Sequence, residues 1–174
     1  TPDLFENGLN LEAAVGGKYG HKIHVWDLKT HNHLHELDLG KENQMVLELR
    51  PSKNPKNTYG FVGVVVNTQD LSASIWTWYL EKDEWKIKKT ITIPAQPAAA
   101  EDLPAPLKQF GAAPPLITDI NLSLDDKFLY VSCWGTGELH QYDVSDPFNP
   151  KLTGMVEIGG VAKKKAHPNG SPAS

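Results

Sequence analysis

The sequence predicts an all-β protein, specifically a β-propeller segment of about two and a half four-stranded antiparallel blades. Three observations carry that expectation. The stretch 122–160 writes out three strands with every turn punctuated, and the alternating run 116–122 before it supplies a fourth. A four-stranded antiparallel unit of about 45 residues has the size of one blade. The unit also recurs: Trp26-Asp27-Leu28, Trp78-Tyr79-Leu80 and Tyr142-Asp143-Val144 each end a third strand, and 44–49 aligns with 117–122 as 59–66 does with 127–134. Strand count alone would also allow a β-sandwich, but repetition at such periods favours a propeller.

In chain order, residues 1–40 form a loop and the outer half of a blade. The turn signals Glu6-Asn7-Gly8 and Gly16-Gly17 flank a short apolar stretch, 9–15, read as a loop with one helical turn. KIHVWDL (22–28) is a strand, Lys29-Thr30-His31-Asn32 a turn, and 33–39 the returning strand, stopped by Gly40. Residues 41–93 form a whole blade. Its inner strand begins at 44–49 and breaks at Pro51, in the loop PSKNPKN. GFVGVVV (60–66) is almost wholly apolar, which predicts a strand buried on both faces. Residues 73–80 alternate, 81–84 turn, and 85–93 make the outermost strand with the lysines typical of an edge.

Residues 94–115 are a proline-rich connection, expected to wrap over the surface rather than form helix. The second whole blade occupies 116–160. Asp125-Asp126 precedes the strand 127–134, and Gly135-Thr136-Gly137 turns it into 138–144. Ser145-Asp146-Pro147 closes that strand, because proline lacks the ladder donor and aspartate caps a turn through its side chain. The strand 151–158 follows and Gly159-Gly160 ends it; 161–174 reads as a flexible basic tail or loop. Since propellers close with typically about 4 to 8 blades, the chain is read as a segment of a longer protein. Its open arc leaves bare sheet edges prone to association.

Composition narrows the partners. With 174 residues and 40% hydrophobic content, the chain has enough apolar surface for a sizeable core. A net charge of −4 argues against a nucleic-acid partner, because phosphate contacts need clustered Lys and Arg and the basic run Lys163-Lys164-Lys165 lies in the tail. No apolar run reaches membrane-spanning length and no signal-peptide pattern occurs. One cysteine, Cys133, excludes an internal disulfide framework and a zinc site built of thiolates, and leaves the compartment open.

Several residues are candidates for chemistry, each with a plainer alternative. Glu48 and Asp119 fall on inner strands, which line a propeller's axis, so they are the candidate channel acids; the alternative is a turn-supporting acid. His33 and His35, two apart on a strand, would point the same way and could share a divalent ion adventitiously, with His31, His21 and His24 nearby; exposed histidines on an outer strand are the plainer reading. Cys133, aligned with Val65, is read as a small buried hydrophobe before it is read as a reactive thiol. Asp27 and Asp143 are expected to bond backbone at blade corners, and the tryptophans to pack between sheets rather than form a stacking platform.

At GGKYGHKIHVWDL, QMVLELRP, YGFVGVVV, PPLITDINLSLDDKFLYVSCWGTGELHQYDVSDP and LTGMVEIGG the sequence resembles the selenium-binding protein family, whose bacterial members include methanethiol oxidases. The resemblance runs over essentially the whole chain. It implies a seven-bladed propeller, of which this segment is the middle. It also implies an oxidoreductase that converts methanethiol, oxygen and water to formaldehyde, hydrogen sulfide and hydrogen peroxide, with copper held by histidines. The family's histidine motifs, an adjacent His-His pair and a His before Gly-Gly-Asp, do not occur here, so the resemblance places the copper ligands outside this segment. The implied partners are a small-molecule thiol or selenium species and the rest of the same propeller. A non-catalytic selenium-binding or protein-interaction propeller is the alternative, because the fold hosts both kinds of function.

Overall fold

The computed structural model describes residues 10–162. A single α-helical turn, α1 (Leu11–Val15), opens them, and the Asn10 side chain caps it by accepting from the backbone N–H groups of Glu12 and Ala13. Apart from two short 3-10 helices in a later connection, the regular structure after it is β-strand. A hairpin, β1 (Lys22–Trp26) and β2 (His33–Asp38), precedes a four-stranded antiparallel sheet of β3 (Asn43–Pro51), β4 (Tyr59–Asn67), β5 (Ala73–Glu81) and β6 (Glu84–Ile93), hydrogen-bonded in sequence order. The connection that follows carries the short pair β7 (Gln96–Pro97) and β8 (Ala112–Ala113). A second four-stranded sheet, again in sequence order, holds β9 (Ile117–Leu122), β10 (Phe128–Cys133), β11 (Glu138–Asp143) and β12 (Lys151–Glu157).

Two whole four-stranded meanders and a half-blade hairpin are the architecture the repeats predict. The strand 60–66 shows why the sheets stack. Every residue of β4 from Gly60 to Asn67 is buried, because one face of its sheet meets the hairpin and the other meets the second sheet. On the hairpin side, Ile23, Leu37 and Leu39 pack with Val62 and Val64, and Trp76, Trp78, Trp85 and Ile87 close the cluster. On the other side, Phe61, Ile75, Ile91 and Ile93 meet Ile117, Ile120, Leu129, Val131 and Val144. Gly63 permits this approach: a Cβ there would sit 3.1 Å from the Ile117 side chain.

Polar contacts tie the two sheets at their rims. Thr77 Oγ1 donates to the Pro147 carbonyl at 2.8 Å, and Tyr79 meets the Phe148 ring edge-on at 4.8 Å. Asp126, at a left-handed φ of 59°, accepts from Ser52 Oγ at 2.6 Å and from the backbone N–H groups of Lys53 and Asn54, so the PSKNPKN loop of one blade is pinned to the turn of the next. The corner aspartates bond backbone: Asp27 accepts from the N–H groups of Lys29 and Thr30, and Asp143 from that of Ser145.

Two features differ from the sequence expectation. The proline-rich connection contains two 3-10 helices, Ala100–Asp102 and Ala105–Phe110, between its paired ends. Proline is tolerated in a first helical turn, where its missing N–H has no partner to lose, and Pro106 stands there. The tryptophans divide: Trp76, Trp78 and Trp85 pack between sheets, whereas Trp26 and Trp134 are 59% and 60% exposed.

Candidate functional site

The two predicted channel acids do come together, through a residue that the sequence reading did not single out. Glu48 and Arg50 are two apart on β3 and so share a face, while Asp119 lies on β9, the neighbouring inner strand. The guanidinium of Arg50 donates through Nη1 to Glu48 Oε2 and through Nη2 to Asp119 Oδ1 at 2.9 Å. Asn121 Nδ2 donates to the other oxygen of Asp119 at 3.1 Å. The planar fork of arginine suits two acceptors at once, which a lysine point charge does not. Both carboxylates are engaged by one cation, so the trio acts as an electrostatic clasp between inner strands. The signal for Arg50 was its i+2 spacing from Glu48.

His33 and His35 are not brought together. The β1–β2 register skips Leu34, pairing Trp26 with His33 and Val25 with His35. Trp26 and Val25 are adjacent on their strand and take opposite faces, so the two histidines sit across from opposite faces of β1. His33 instead meets His24, Nε2 to Nδ1 at 3.2 Å, with the edge of Trp26 beside it. Both are exposed. His21 pairs with Asp38 at 2.8 Å.

A second constellation surrounds Cys133. The turn 134–137, with Gly137 at a left-handed φ of 71°, sets Cys133 directly opposite Glu138 in the β10–β11 pair. Glu138, His140 and Tyr142 alternate along β11 and therefore share one face with Cys133, the face that packs into the core between the sheets. His140 Nε2 lies 3.1 Å from Glu138 Oε2, and His140 Nδ1 lies 3.1 Å from the Tyr142 hydroxyl. Thr136 Oγ1 donates to Glu138 Oε2 at 2.8 Å, and Gln96, delivered by the proline-rich connection, reaches Glu138 Oε1 at 3.4 Å.

Burial, with a smaller push from the Glu138 charge, raises the Cys133 thiol to about 12; burial raises the Tyr142 phenol to about 12 as well, helped by Cys133 and Glu138. Cys133 is thus a buried thiol, as expected from its strand position, but its polar surroundings were not anticipated. The turn at 135–137 and the alternation of Glu138-Leu139-His140-Gln141-Tyr142 carried that information. Beside the cluster opens a cleft of about 520 Å³, lined by Thr118, Ser132, Cys133, Trp134, Glu138 and Leu139 among others.

The fold and the stacked meanders define a β-propeller protein. A putative 6-phosphogluconolactonase from Bacteroides uniformis has the same fold, with TM-score 0.51 at 14% identity, covering 84% of this chain and 40% of that one. The chain belongs to the family described as 56kDa selenium binding protein (SBP56), which matches residues 1–173. A hypothetical selenium-binding protein from Sulfolobus tokodaii superposes with TM-score 0.90 at 50% identity, covering 98% of this chain and 37% of that one. A methanethiol oxidase from Xenopus laevis is 40% identical over 165 residues, which is 94% of this chain and 32% of that protein. Selenium-binding protein 2 of Mus musculus is 38% identical over 161 residues, covering 92% of this chain and 31% of that protein. The chain therefore spans about a third of the length of these curated relatives.

Among the described residues, the histidines do not assemble the histidine copper site that the resemblance implies. His24 and His33 form an exposed pair on the hairpin, and His140 shares its surroundings with a carboxylate and a thiol rather than with other imidazoles.

Proposed function

We propose that this chain forms central blades of a protein that oxidises methanethiol. In the overall reaction one molecule each of methanethiol, dioxygen and water gives one each of formaldehyde, hydrogen sulfide and hydrogen peroxide. The carbon loses two electrons, its C–S bond breaks, and water supplies the aldehyde oxygen, while dioxygen takes up the two electrons and two protons. The observation that carries this reading is the 40% identity, over 94% of the chain, to a protein named methanethiol oxidase. In that protein the blades would hold the inner strands in register, the Glu48–Arg50–Asp119 clasp would form part of the channel wall, and copper would be held by residues outside this chain. The substrate would be a small thiol.

The test pairs copper content with oxygen-dependent methanethiol consumption, measured on the full-length protein and on this chain side by side. Stoichiometric copper and turnover in the full-length protein, with neither in the chain alone, is the expected result. A copper-free, inactive full-length protein overturns the oxidase reading. The second reading, a propeller that binds selenium species without turnover, is favoured by the relatives named only for selenium binding. It predicts selenite retention by an inactive full-length protein.

A further inference from the structure

We propose that Cys133, Glu138 and His140 form a metal site of the zinc class, distinct from any histidine copper centre. Among the described residues, these three present one ligand atom each, and all three atoms lie within 4.8 Å of one another. The donor set is a thiol, a carboxylate and an imidazole, which together suit a borderline divalent cation such as Zn²⁺. A single cysteine cannot build the thiolate zinc site that the sequence excludes, but a mixed site needs only one.

Three observations point the same way. First, the donors are arranged by regular structure: Cys133 and Glu138 are direct cross-strand partners and His140 follows Glu138 by two on the same face. A tetrahedral site with metal–ligand bonds near 2.0–2.3 Å needs donors roughly 3.4 Å apart. His140 Nε2 and Glu138 Oε2, 3.1 Å apart, are already near that spacing, and the Cys133 sulfur lies within 4.8 Å of both. Second, outer partners hold the ligands. The Tyr142 hydroxyl occupies Nδ1 of His140, which leaves Nε2 as the ligating nitrogen, and Thr136 orients the Glu138 carboxylate. Third, the setting is costly without a cation. His140 and the Cys133 thiol are buried and Glu138 nearly so, on a sheet face otherwise formed by Leu129, Val131 and Val144. Buried carboxylates are normally paired with full charges or coordinate metals. Cys133 and Glu138 also border the neighbouring cleft, although His140 does not.

The experiment is a Co²⁺ titration of the chelator-stripped full-length protein, followed by absorption. A thiolate-to-cobalt charge-transfer band that saturates at one equivalent, is displaced by Zn²⁺ and is absent from C133S is the expected result. T136V disturbs only an outer partner and is expected to retain the band with affinity about 10- to 100-fold weaker; E138Q keeps the thiolate but removes a ligand, so its band is expected to need more cobalt than that of T136V. Folded wild-type protein that gives no such band, or a band that persists unchanged in C133S, overturns the site. In either case the cluster would be a closed hydrogen-bonded network. Methanethiol turnover plays no part in this readout, so the site stands or falls apart from the oxidase reading.

Discussion

Arg50 is the residue on which the inner strands converge. Its guanidinium serves Glu48 on its own strand and Asp119 on the next blade, so removing it leaves two carboxylates facing each other without a cation. In the full-length protein, Arg50→Ala is expected to lower stability by about 1 kcal/mol, with Arg50→Lys recovering only part because one ammonium cannot fork to both acceptors. A double-mutant cycle with Asp119→Asn, read from urea midpoints, checks this; additive losses would show that the clasp carries no coupling energy. The sequence disclosed the two acids, through their inner-strand positions, but not the cation between them. Glu48 and Arg50 are neighbours by alternation, whereas Arg50 and Asp119 are 69 residues apart and meet only because the sheets stack. The cysteine cluster divides the same way: the hairpin aligns Cys133 with Glu138 locally, while Gln96 arrives from a separate connection.

At the scale of elements, close backbone approach decides which substitutions the blades tolerate. Gly60 lies opposite Trp78, and a Cβ there would come within 2.3 Å of the indole and 2.6 Å of the Arg50 carbonyl. Gly60→Ala is therefore expected to cost about 1–3 kcal/mol as Trp78 is displaced. Chemical denaturation measures the loss, and an unchanged midpoint would mean that both the indole and the Arg50 backbone give way without cost. The rim contact made by Asp126 gives a pH dependence. Burial acts to raise this carboxyl, yet the donors Ser52, Lys53 and Asn54 together hold it below the ordinary aspartate range. A lowered folded-state pKa stabilises the protein above the unfolded value, near roughly 3.9, and that stabilisation disappears as pH falls through the lower folded value. Asp126→Asn should thus melt below wild type at neutral pH, and the gap should close as pH drops below about 4. A gap that stays constant with pH would show that charge plays no part.

At the scale of the whole molecule, the stacked sheets leave two faces of the arc uncovered. Trp26 and Leu34 are exposed on the hairpin, and Trp134, Leu152, Met155, Val156 and Ile158 on the last sheet and its exit, each more than half accessible. Exposed apolar sheet faces and edges favour association. By itself the chain is expected to sediment as concentration-dependent oligomers, whereas a concentration-independent monomer would show that these faces are tolerated in water. The strands of the hairpin and the two blades, their order and the two-faced burial of β4 were determined by the sequence alone, because alternation, turn residues and repetition are local signals that each blade states for itself. What only the tertiary structure decided are the contacts between blades and between connection and blade. The Arg50 clasp, the Asp126 pin and the approach of Gln96 to Glu138 all depend on how one sheet is set against its neighbour, and no periodicity within a strand records that distance.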